Sequence, residues 1–325
     1  MDQYEYLKYT TTKENLKATI DKYGVAIIPK VLNDKECKDM VSGLWDYFEH
    51  ISKNWETPIN RNDDKSWREL YKLFPLHSML FQYFNCGHTQ VSWDVRQNVK
   101  ILEIFAYFWK CTPEELLVSF DGLGFNLPPE ITKKGWNRNN TWYHTDQSYL
   151  KNDFECIQSW ITGLDVNEGD ATLAFMEKSN NYHTDFKLEF NINDKDNWYK
   201  LTREQEDFYV NKGCDYKKIK CPKGSIVFWD SRTIHCGTEA MKERTVQNFR
   251  AFIYLCYAPR NLSDKKNLKK KQKAFEELRT TTHWPCTVKL FSKSPRTYGK
   301  ELPVINIINK PVLKEIGMKL SGFLI

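Results

Sequence analysis

The chain has 325 residues, of which 41% are hydrophobic and 14% aromatic, so it can bury a substantial core and is not a disordered chain. A net charge of +6 is too small by itself to indicate a nucleic-acid-binding protein. The polar N-terminus lacks the apolar core of a signal peptide, and no apolar run approaches the roughly 20 residues of a membrane span. The cysteine count of 9 is odd, and no C-x-x-C pair is present, so we expect free thiols in a cytoplasmic protein without a membrane span.

Residues 1–110 are predicted to form a mainly helical N-terminal region. Asn33, followed three residues later by Glu36, is a capping-box variant that favours a helix start. The stretch from residue 67 to 110 is again mostly helical. The earlier elements are expected to be a helix over residues 12–23 that ends at Gly24, a strand over residues 25–28, and a helix from Asn33 to about Ile51.

The pattern changes to short apolar stretches between turn residues over residues 111–259. Such close spacing, with few helices between the stretches, favours an antiparallel sandwich or jelly roll over a doubly wound sheet. The polar residues 184–216 are interpreted as an insertion between strands. The predicted strands are residues 116–120, 156–161, 171–176, 226–229 and 249–257.

Residues 260–325 are predicted to be a C-terminal helical extension of the same domain, so residues 1–325 are expected to form a single domain. Ser263 is placed to cap a helix from Asp264 to about Arg279. The lysines from Lys265 to Lys273 on this helix favour a solvated face, and the alternative is contact with nucleic acid or another polyanion.

His144 and Asp146 are the centre of the functional prediction. Side chains at positions i and i+2 of a β-strand point to the same face, so the two groups can reach one metal ion. His235, which follows the apolar strand of residues 226–229, is the best third ligand. Two histidines and one carboxylate on one face leave the opposite coordination positions open, which is the arrangement of non-haem Fe(II) oxygenases.

Two other functions fit the same three residues. A zinc-dependent hydrolase could use them as ligands with an open fourth position, although no H-E-x-x-H motif is present. A non-catalytic binding module could also retain the fold. No P-loop or dinucleotide-binding fingerprint is present, which argues against a nucleotide-driven enzyme.

Arg250 lies in the strand-like stretch that follows His235. A buried arginine requires an anionic partner, and its planar fork matches a carboxylate with two hydrogen bonds. Arg244 competes for this role, but it lies in a polar stretch that is typical of a loop, so Arg250 is favoured.

The order of these residues resembles the phytanoyl-CoA dioxygenase-like branch of the Fe(II)/2-oxoglutarate oxygenases. The resemblance extends over about residues 22–258. It includes the stretches Tyr23 to Leu32, His144-Thr145-Asp146, Asn167 to Phe175, and Ser179 to His183. It also includes the single residues Trp160, His235 and Arg250.

The resemblance implies an α+β protein with a mainly β core, a double-stranded β-helix of the jelly-roll or cupin type. It implies Fe(II), 2-oxoglutarate and O2 as metal and cosubstrates, with Arg250 holding the distal carboxylate of 2-oxoglutarate and Trp160 beside it. The family often has Ser or Thr two residues after the distal histidine. This chain has Gly237 there and Thr238 one residue later, so Thr238 is the candidate cosubstrate contact.

The expected reaction is hydroxylation of a small or acyl-type substrate with release of succinate and CO2. Halogenases of this class replace the carboxylate ligand with a small residue, and Asp146 is present here. We expect Trp93, Arg96, Gln97 and Tyr143 to line the substrate mouth, where Arg96 would favour an anionic or polar substrate. His183 is interpreted as a structural residue.

Overall fold

The structure, a computed structural model, describes residues 4–73, 80–138, 141–295, 297, 299 and 301–323. A 3-10 helix of 10 residues spans Asp64–Leu73. The α-helices within these residues are α1 (Leu16–Tyr23), α2 (Asp34–Ser52), α3 (Gln90–Arg96), α4 (Val99–Trp109), α5 (Pro129–Thr132), α6 (His183–Glu189), α7 (Arg203–Asn211), α8 (Lys265–Glu276) and α9 (Glu315–Leu320).

The strands are short, as the sequence pattern predicts. They are β1 (Tyr4–Glu5), β2 (Val25–Ile28), β3 (Leu116–Val118), β4 (Leu123–Asn126), β5 (His144–Thr145), β6 (Ile157–Thr162), β7 (Thr172–Met176), β8 (Tyr199–Lys200), β9 (Tyr216–Ile219), β10 (Ile226–Asp230), β11 (His235–Thr238), β12 (Arg250–Leu255) and β13 (Tyr257–Pro259). The predicted stretch 249–257 is therefore divided between β12 and β13.

The helix boundaries follow from local capping chemistry. Asn33 accepts a hydrogen bond from the Glu36 amide and the Glu36 side chain bonds back to Asn33, so the capping box of α2 is complete. Gly24 ends α1 with φ of 82°, a left-handed conformation that glycine adopts without strain. The predicted cap of α8 was wrong: Asp264 rather than Ser263 accepts the bond from Asn267 N, because its carboxylate reaches the amide three residues later.

Two sheets form the body of the protein. One has six strands in the order β1-β9-β7-β11-β5-β8, and the other has five in the order β2-β10-β6-β12-β4. Each neighbouring pair within them is antiparallel except β1 with β9, which is parallel. A further antiparallel pair joins β13 to β3. The fold thus combines helices with sheets that are mainly antiparallel.

The inner faces of the two sheets pack against each other. Leu173 and Phe175 of β7 join Trp160, Val227 and Phe252 of the five-stranded sheet in one buried cluster. Ala174 and Met176, the alternate residues of β7, belong instead to a cluster on the outer face. This alternation of side chains between two faces is what a strand of a sandwich requires.

Helices cover both outer faces. On the five-stranded sheet, Ile161, Phe228 and Ile253 pack in the cluster that includes residues of α1, α2 and α4. On the six-stranded sheet, Phe186 of α6 and Tyr209 of α7 pack in the outer cluster. The predicted insertion, residues 184–216, therefore supplies this cover, and it also supplies β8, which pairs with β5.

Helix α8 turns one of its lysines inward. Lys271 is buried, donates to the carbonyl oxygens of Val118 and Pro285, and lies over the ring of Phe120. The remaining lysines of this helix are exposed: Lys265, Lys266, Lys269, Lys270 and Lys273. In the described part of the chain, no helix combines the length and apolarity that crossing a membrane demands.

Candidate active site

The two predicted histidine ligands lie directly opposite each other on neighbouring strands. His235 of β11 pairs in register with His144 of β5, and their ring centroids are 4.4 Å apart. Asp146 lies just beyond the end of β5. Its Oδ2 is 3.3 Å from His235 Nε2 and 3.8 Å from His144 Nε2. Ligand atoms of all three residues lie within 4.8 Å of one another, close enough to hold one metal ion.

Backbone carbonyl groups orient both imidazoles. The Nδ1 of His144 is 3.1 Å from the Trp142 carbonyl oxygen, and the Nδ1 of His235 is 2.8 Å from that of Thr233. A carbonyl oxygen only accepts, so each Nδ1 carries the proton and each Nε2 presents its lone pair to Asp146 and the space beside it. Burial lowers the pKa of His235 and the neighbouring His144 lowers it further, which together outweigh the opposing effect of Asp146. A lowered pKa favours the neutral imidazole that metal binding requires.

The Asp146 carboxylate is held by its surroundings. Gln158 Nε2 donates to Asp146 Oδ2 at 3.0 Å, and the Asp146 amide donates to the Ser231 carbonyl oxygen at 3.1 Å. Burial alone would raise the pKa of the Asp146 carboxyl. The imidazoles of His283, His144 and His235 outweigh burial and hold that pKa well below its ordinary value. Asp146 is therefore an anion, and a site of two imidazole nitrogens and a carboxylate fits Fe(II).

Arg250 is a buried cation with unused donors. Its Nη2 donates to the Tyr254 hydroxyl at 2.6 Å, and its guanidinium lies 4.3 Å from the centre of the Phe252 ring. Its Nε and Nη1 are buried and have no hydrogen-bond partner. Gly124 on the adjacent strand leaves room for it, since a Cβ there would lie 3.0 Å from Arg250 Nε. The guanidinium thus has two donors ready for an anion.

A large cavity joins these groups. Its volume is about 2450 Å³, and its walls include His144, Asp146, His235 and Arg250. Tyr143, a predicted substrate contact, lies in the wall as well, and so do Trp142, Trp198, Trp229, His283 and Trp284. The cavity exceeds the roughly 300–1,000 Å³ that accommodate drug-sized ligands, so it has room for a bulky molecule beside the three candidate ligands.

The two remaining predicted cosubstrate contacts lie in different positions. Thr238 is in the cavity wall, and its hydroxyl accepts a hydrogen bond from Asn137 Nδ2 at 2.6 Å. Trp160 is fully buried in the core between the sheets and is not one of the described residues that line the cavity. Its ring stacks on Phe252 at 4.0 Å, so it supports the ring that underlies Arg250.

Three predicted substrate-mouth residues lie elsewhere. Trp93 and Arg96 are fully buried on α3 and Gln97 is buried at its end, and none of them lines the cavity. Arg96 donates to the carbonyl oxygens of Gly87 and Asp121 and lies over the Trp93 ring. The prediction for these three was wrong because the guanidinium and the amide hold backbone segments together instead of facing a ligand.

The sequence interpretation missed residues that complete the site. Gln158 lies two residues before Trp160, and Tyr254 lies four residues after Arg250. Side chains at even spacings along a strand point to the same face, so the strand pattern could have indicated both residues. His283 lies far along the chain in an irregular stretch, and no local signal connects it to the site.

The comparisons with known proteins show a shared fold. No protein-family model matches the chain. Ava biosynthesis cluster protein O from Aspergillus versicolor is 25% identical over 241 residues, which cover 72% of this chain and 75% of that protein. Hypothetical protein JW0805 from Escherichia coli, solved at high pH, superposes with a TM-score of 0.59 and 12% identity over 98% of this chain and 85% of its own. GIG2 from Candida albicans superposes with a TM-score of 0.53 and 12% identity over 82% and 70%.

A more distant likeness concerns an enzyme with known ligands. The epimerase SnoN, solved in complex with Fe3+, alpha ketoglutarate and nogalamycin RO, aligns over 76% of this chain and 83% of its own at 13% identity, with a TM-score of 0.42. This likeness is too distant to transfer the ligands of SnoN. The assignment for this chain rests on its own side chains.

Proposed function

We propose that this protein is an Fe(II)- and 2-oxoglutarate-dependent oxygenase that hydroxylates a small or acyl-type substrate. The observation that carries the proposal is one cavity holding two oriented imidazoles, a carboxylate between them, and a buried guanidinium with two unpaired donors. The proposal extends to the fold, whose two sheets would form a double-stranded β-helix, and to the phytanoyl-CoA dioxygenase-like branch of the oxygenases.

In this proposal His144, Asp146 and His235 hold Fe(II) through two nitrogen atoms and one oxygen atom. When bound, Fe(II) with 2-oxoglutarate and O2 supplies the oxidising chemistry, and 2-oxoglutarate leaves as succinate and CO2. The chain contributes fixed ligands: the carbonyl oxygens that accept from each Nδ1 hold the rings, and Gln158 holds the carboxylate. Such supporting contacts commonly change metal affinity 10–100-fold when they are removed.

Arg250 is assigned to the distal carboxylate of 2-oxoglutarate. A carboxylate is the natural partner because the buried cation leaves Nε and Nη1 unpaired, and Nη1 together with the second N–H of Nη2 forms a fork that can donate two parallel hydrogen bonds to a carboxylate. Tyr254 fixes the third nitrogen and Phe252 supports the face of the group. Trp160 acts through Phe252, and Thr238 borders the same cavity. A zinc hydrolase does not require a buried guanidinium at this position, so the presence of Arg250 favours the oxygenase.

The proposal is tested first by binding. One Fe(II) per chain should bind to wild type under anaerobic conditions, and 2-oxoglutarate should then raise the melting temperature of the Fe(II)-loaded protein. In Asp146→Ala we expect Fe(II) affinity to fall by more than tenfold. Asp153→Ala, an exposed aspartate outside the cavity, is the matched control and should behave as wild type.

Turnover provides the second test. Wild type with Fe(II), 2-oxoglutarate, O2 and a metabolite mixture should release succinate, and Asp146→Ala should not. Equal succinate release by both proteins would remove the three-residue site from consideration. Tight Zn2+ binding together with no stabilisation by 2-oxoglutarate would favour the hydrolase alternative.

A further inference from the structure

The C-terminal extension contributes one wall of the cavity through a short hairpin of residues 280–291. The hairpin is closed by a bridge between Thr281 and Leu290. It is attached to the sheet by two hydrogen bonds between Thr281 and Phe120: the Thr281 amide donates to the Phe120 carbonyl at 2.9 Å, and the Phe120 amide donates to Thr281 Oγ1 at 3.0 Å. The hairpin that carries the cavity-lining residues of this wall is therefore anchored to the sheet at Thr281. These residues are Thr282, His283, Trp284, Thr287, Lys289 and Phe291.

His283 has no hydrogen-bond partner within the described part of the chain. Its Nε2 is buried and unpaired, and its ring centroid is 5.2 Å from that of Trp284. The adjacent Thr282 hydroxyl is likewise buried and unpaired. A buried polar atom without a hydrogen-bond partner destabilises the folded protein. Two neighbouring atoms of this kind in a cavity wall indicate a ligand that supplies the missing hydrogen bonds.

The surroundings of His283 show which ligand group fits. Burial lowers the pKa of His283; Asp146 opposes this, while His235 and His144 add to it. A lowered pKa favours the neutral imidazole, and the unpaired Nε2 belongs to a residue of the cavity wall. A neutral imidazole suits a hydroxyl or carbonyl oxygen, whereas the carboxylate of a cosubstrate is better matched by Arg250.

Flat aromatic surfaces line the same cavity. The Trp142 ring stacks on His144 at 4.7 Å with an interplanar angle of 14°, and the Trp198 ring is 5.8 Å from it. Trp284 contributes a further indole next to His283. Indole faces bind flat apolar surfaces favourably. A volume of about 2450 Å³ leaves room for a molecule of several rings.

We propose that His283 hydrogen-bonds a hydroxyl or carbonyl oxygen of the primary substrate, and that this substrate is a bulky cyclic molecule whose flat faces contact Trp142, Trp198 and Trp284. The proposal rests on the proposed function, because it assumes that 2-oxoglutarate binds to the metal and to Arg250 and that the substrate occupies the rest of the cavity. It adds to that function a contact between His283 and the substrate, and it names the substrate as a bulky cyclic molecule.

The test uses two probes of nearly equal size, 2-naphthol and 2-methylnaphthalene, which differ in the hydroxyl group. Their affinities for the full-length protein with Fe(II) and 2-oxoglutarate are measured anaerobically by quenching of tryptophan fluorescence. We expect wild type to prefer 2-naphthol by about three- to tenfold, the effect of one hydrogen bond. His283→Ala should lose this preference while its affinity for 2-methylnaphthalene stays within twofold, and His283→Gln should recover part of it.

Control measurements separate this proposal from the proposed function. His50→Ala, which removes a histidine from α2 outside the cavity, should retain the preference, and melting temperatures confirm that each variant is folded. Equal preferences in wild type and His283→Ala, or no preference in wild type, would overturn the proposal. So would a loss of Fe(II) affinity in His283→Ala, since the imidazole would then serve the metal. Failure of wild type to bind Fe(II) and 2-oxoglutarate would instead refute the proposed function, and the probes still report on His283.

Discussion

Replacing Arg250 with methionine should separate cosubstrate binding from stability. In wild type, Nε and Nη1 of this buried guanidinium are unpaired without a ligand. Two charge-assisted hydrogen bonds at about 1.5 kcal/mol each give roughly 3 kcal/mol, and 1.4 kcal/mol corresponds to a tenfold change. We therefore expect Arg250→Met to raise the Kd for 2-oxoglutarate by roughly 150-fold. The ligand-free variant should unfold with a free energy equal to or above that of wild type, because an unpaired buried charge has been removed.

Arg244 provides the matched comparison. Its side chain is also largely shielded from solvent, but it contacts Glu130 at 2.5 Å and Asp170 at 2.9 Å. Arg244→Met leaves these carboxylates without their cation, so it should lower the free energy of unfolding by about 3 kcal/mol and leave the Kd for 2-oxoglutarate nearly unchanged. Calorimetric titration of Fe(II)-loaded protein and urea unfolding of ligand-free protein measure both quantities. The reasoning fails if Arg250→Met lowers the free energy of unfolding as much as Arg244→Met does and its Kd for 2-oxoglutarate stays within threefold of the wild-type value.

Three further predictions concern the neighbours of these residues. Gln158→Leu removes the donor to Asp146, so Fe(II) affinity should fall about tenfold in an equilibrium titration. Gly124→Ala places a Cβ 3.0 Å from Arg250 Nε and should displace that flexible group, weakening 2-oxoglutarate binding about tenfold with unchanged Fe(II) affinity. Burial raises the pKa of Asp121 from 3.8 to about 7. Between pH 3.8 and about 7 the native carboxyl keeps a proton that the unfolded chain has lost, so the contribution of Asp121 to stability falls as pH rises, by roughly 4 kcal/mol in total. Asp121→Asn should remove this contribution from the pH dependence of unfolding in chelator-treated protein.

The sequence predicted the grouping of His144, Asp146 and His235 because their pattern is local or strand-based. His144 and Asp146 are two residues apart, and His235 follows an apolar strand that the structure contains as β10. Asp146 nevertheless lies beyond the end of β5, so the strand argument alone does not account for its position. The bond from its amide to the Ser231 carbonyl returns the carboxylate to the histidines, and such a contact between distant segments is invisible in the sequence.

Residues whose role depends on distant partners could not be assigned from the sequence. Gln97 accepts a hydrogen bond from the Lys314 amide at 2.6 Å, more than 200 positions along the chain. His283 reaches the cavity because Thr281 pairs with Phe120, and no spacing rule anticipates that contact. A polar residue near an aromatic one is a reasonable candidate for a substrate contact, but only the tertiary structure decides whether its hydrogen bonds are already made within the protein.

Arg96 and Arg250 illustrate this distinction. Both are buried arginines, and burial lowers the pKa of both. Arg96 directs both Nη atoms to backbone carbonyl groups and leaves Nε unpaired away from the cavity, so its charge holds the chain together. Arg250 has one protein partner and two unpaired nitrogens, and it lines the cavity that also contains His144, Asp146 and His235. A buried cation is stable only when anions or dipoles surround it, so the unmet requirement of Arg250 is best explained by an anionic ligand that enters the cavity.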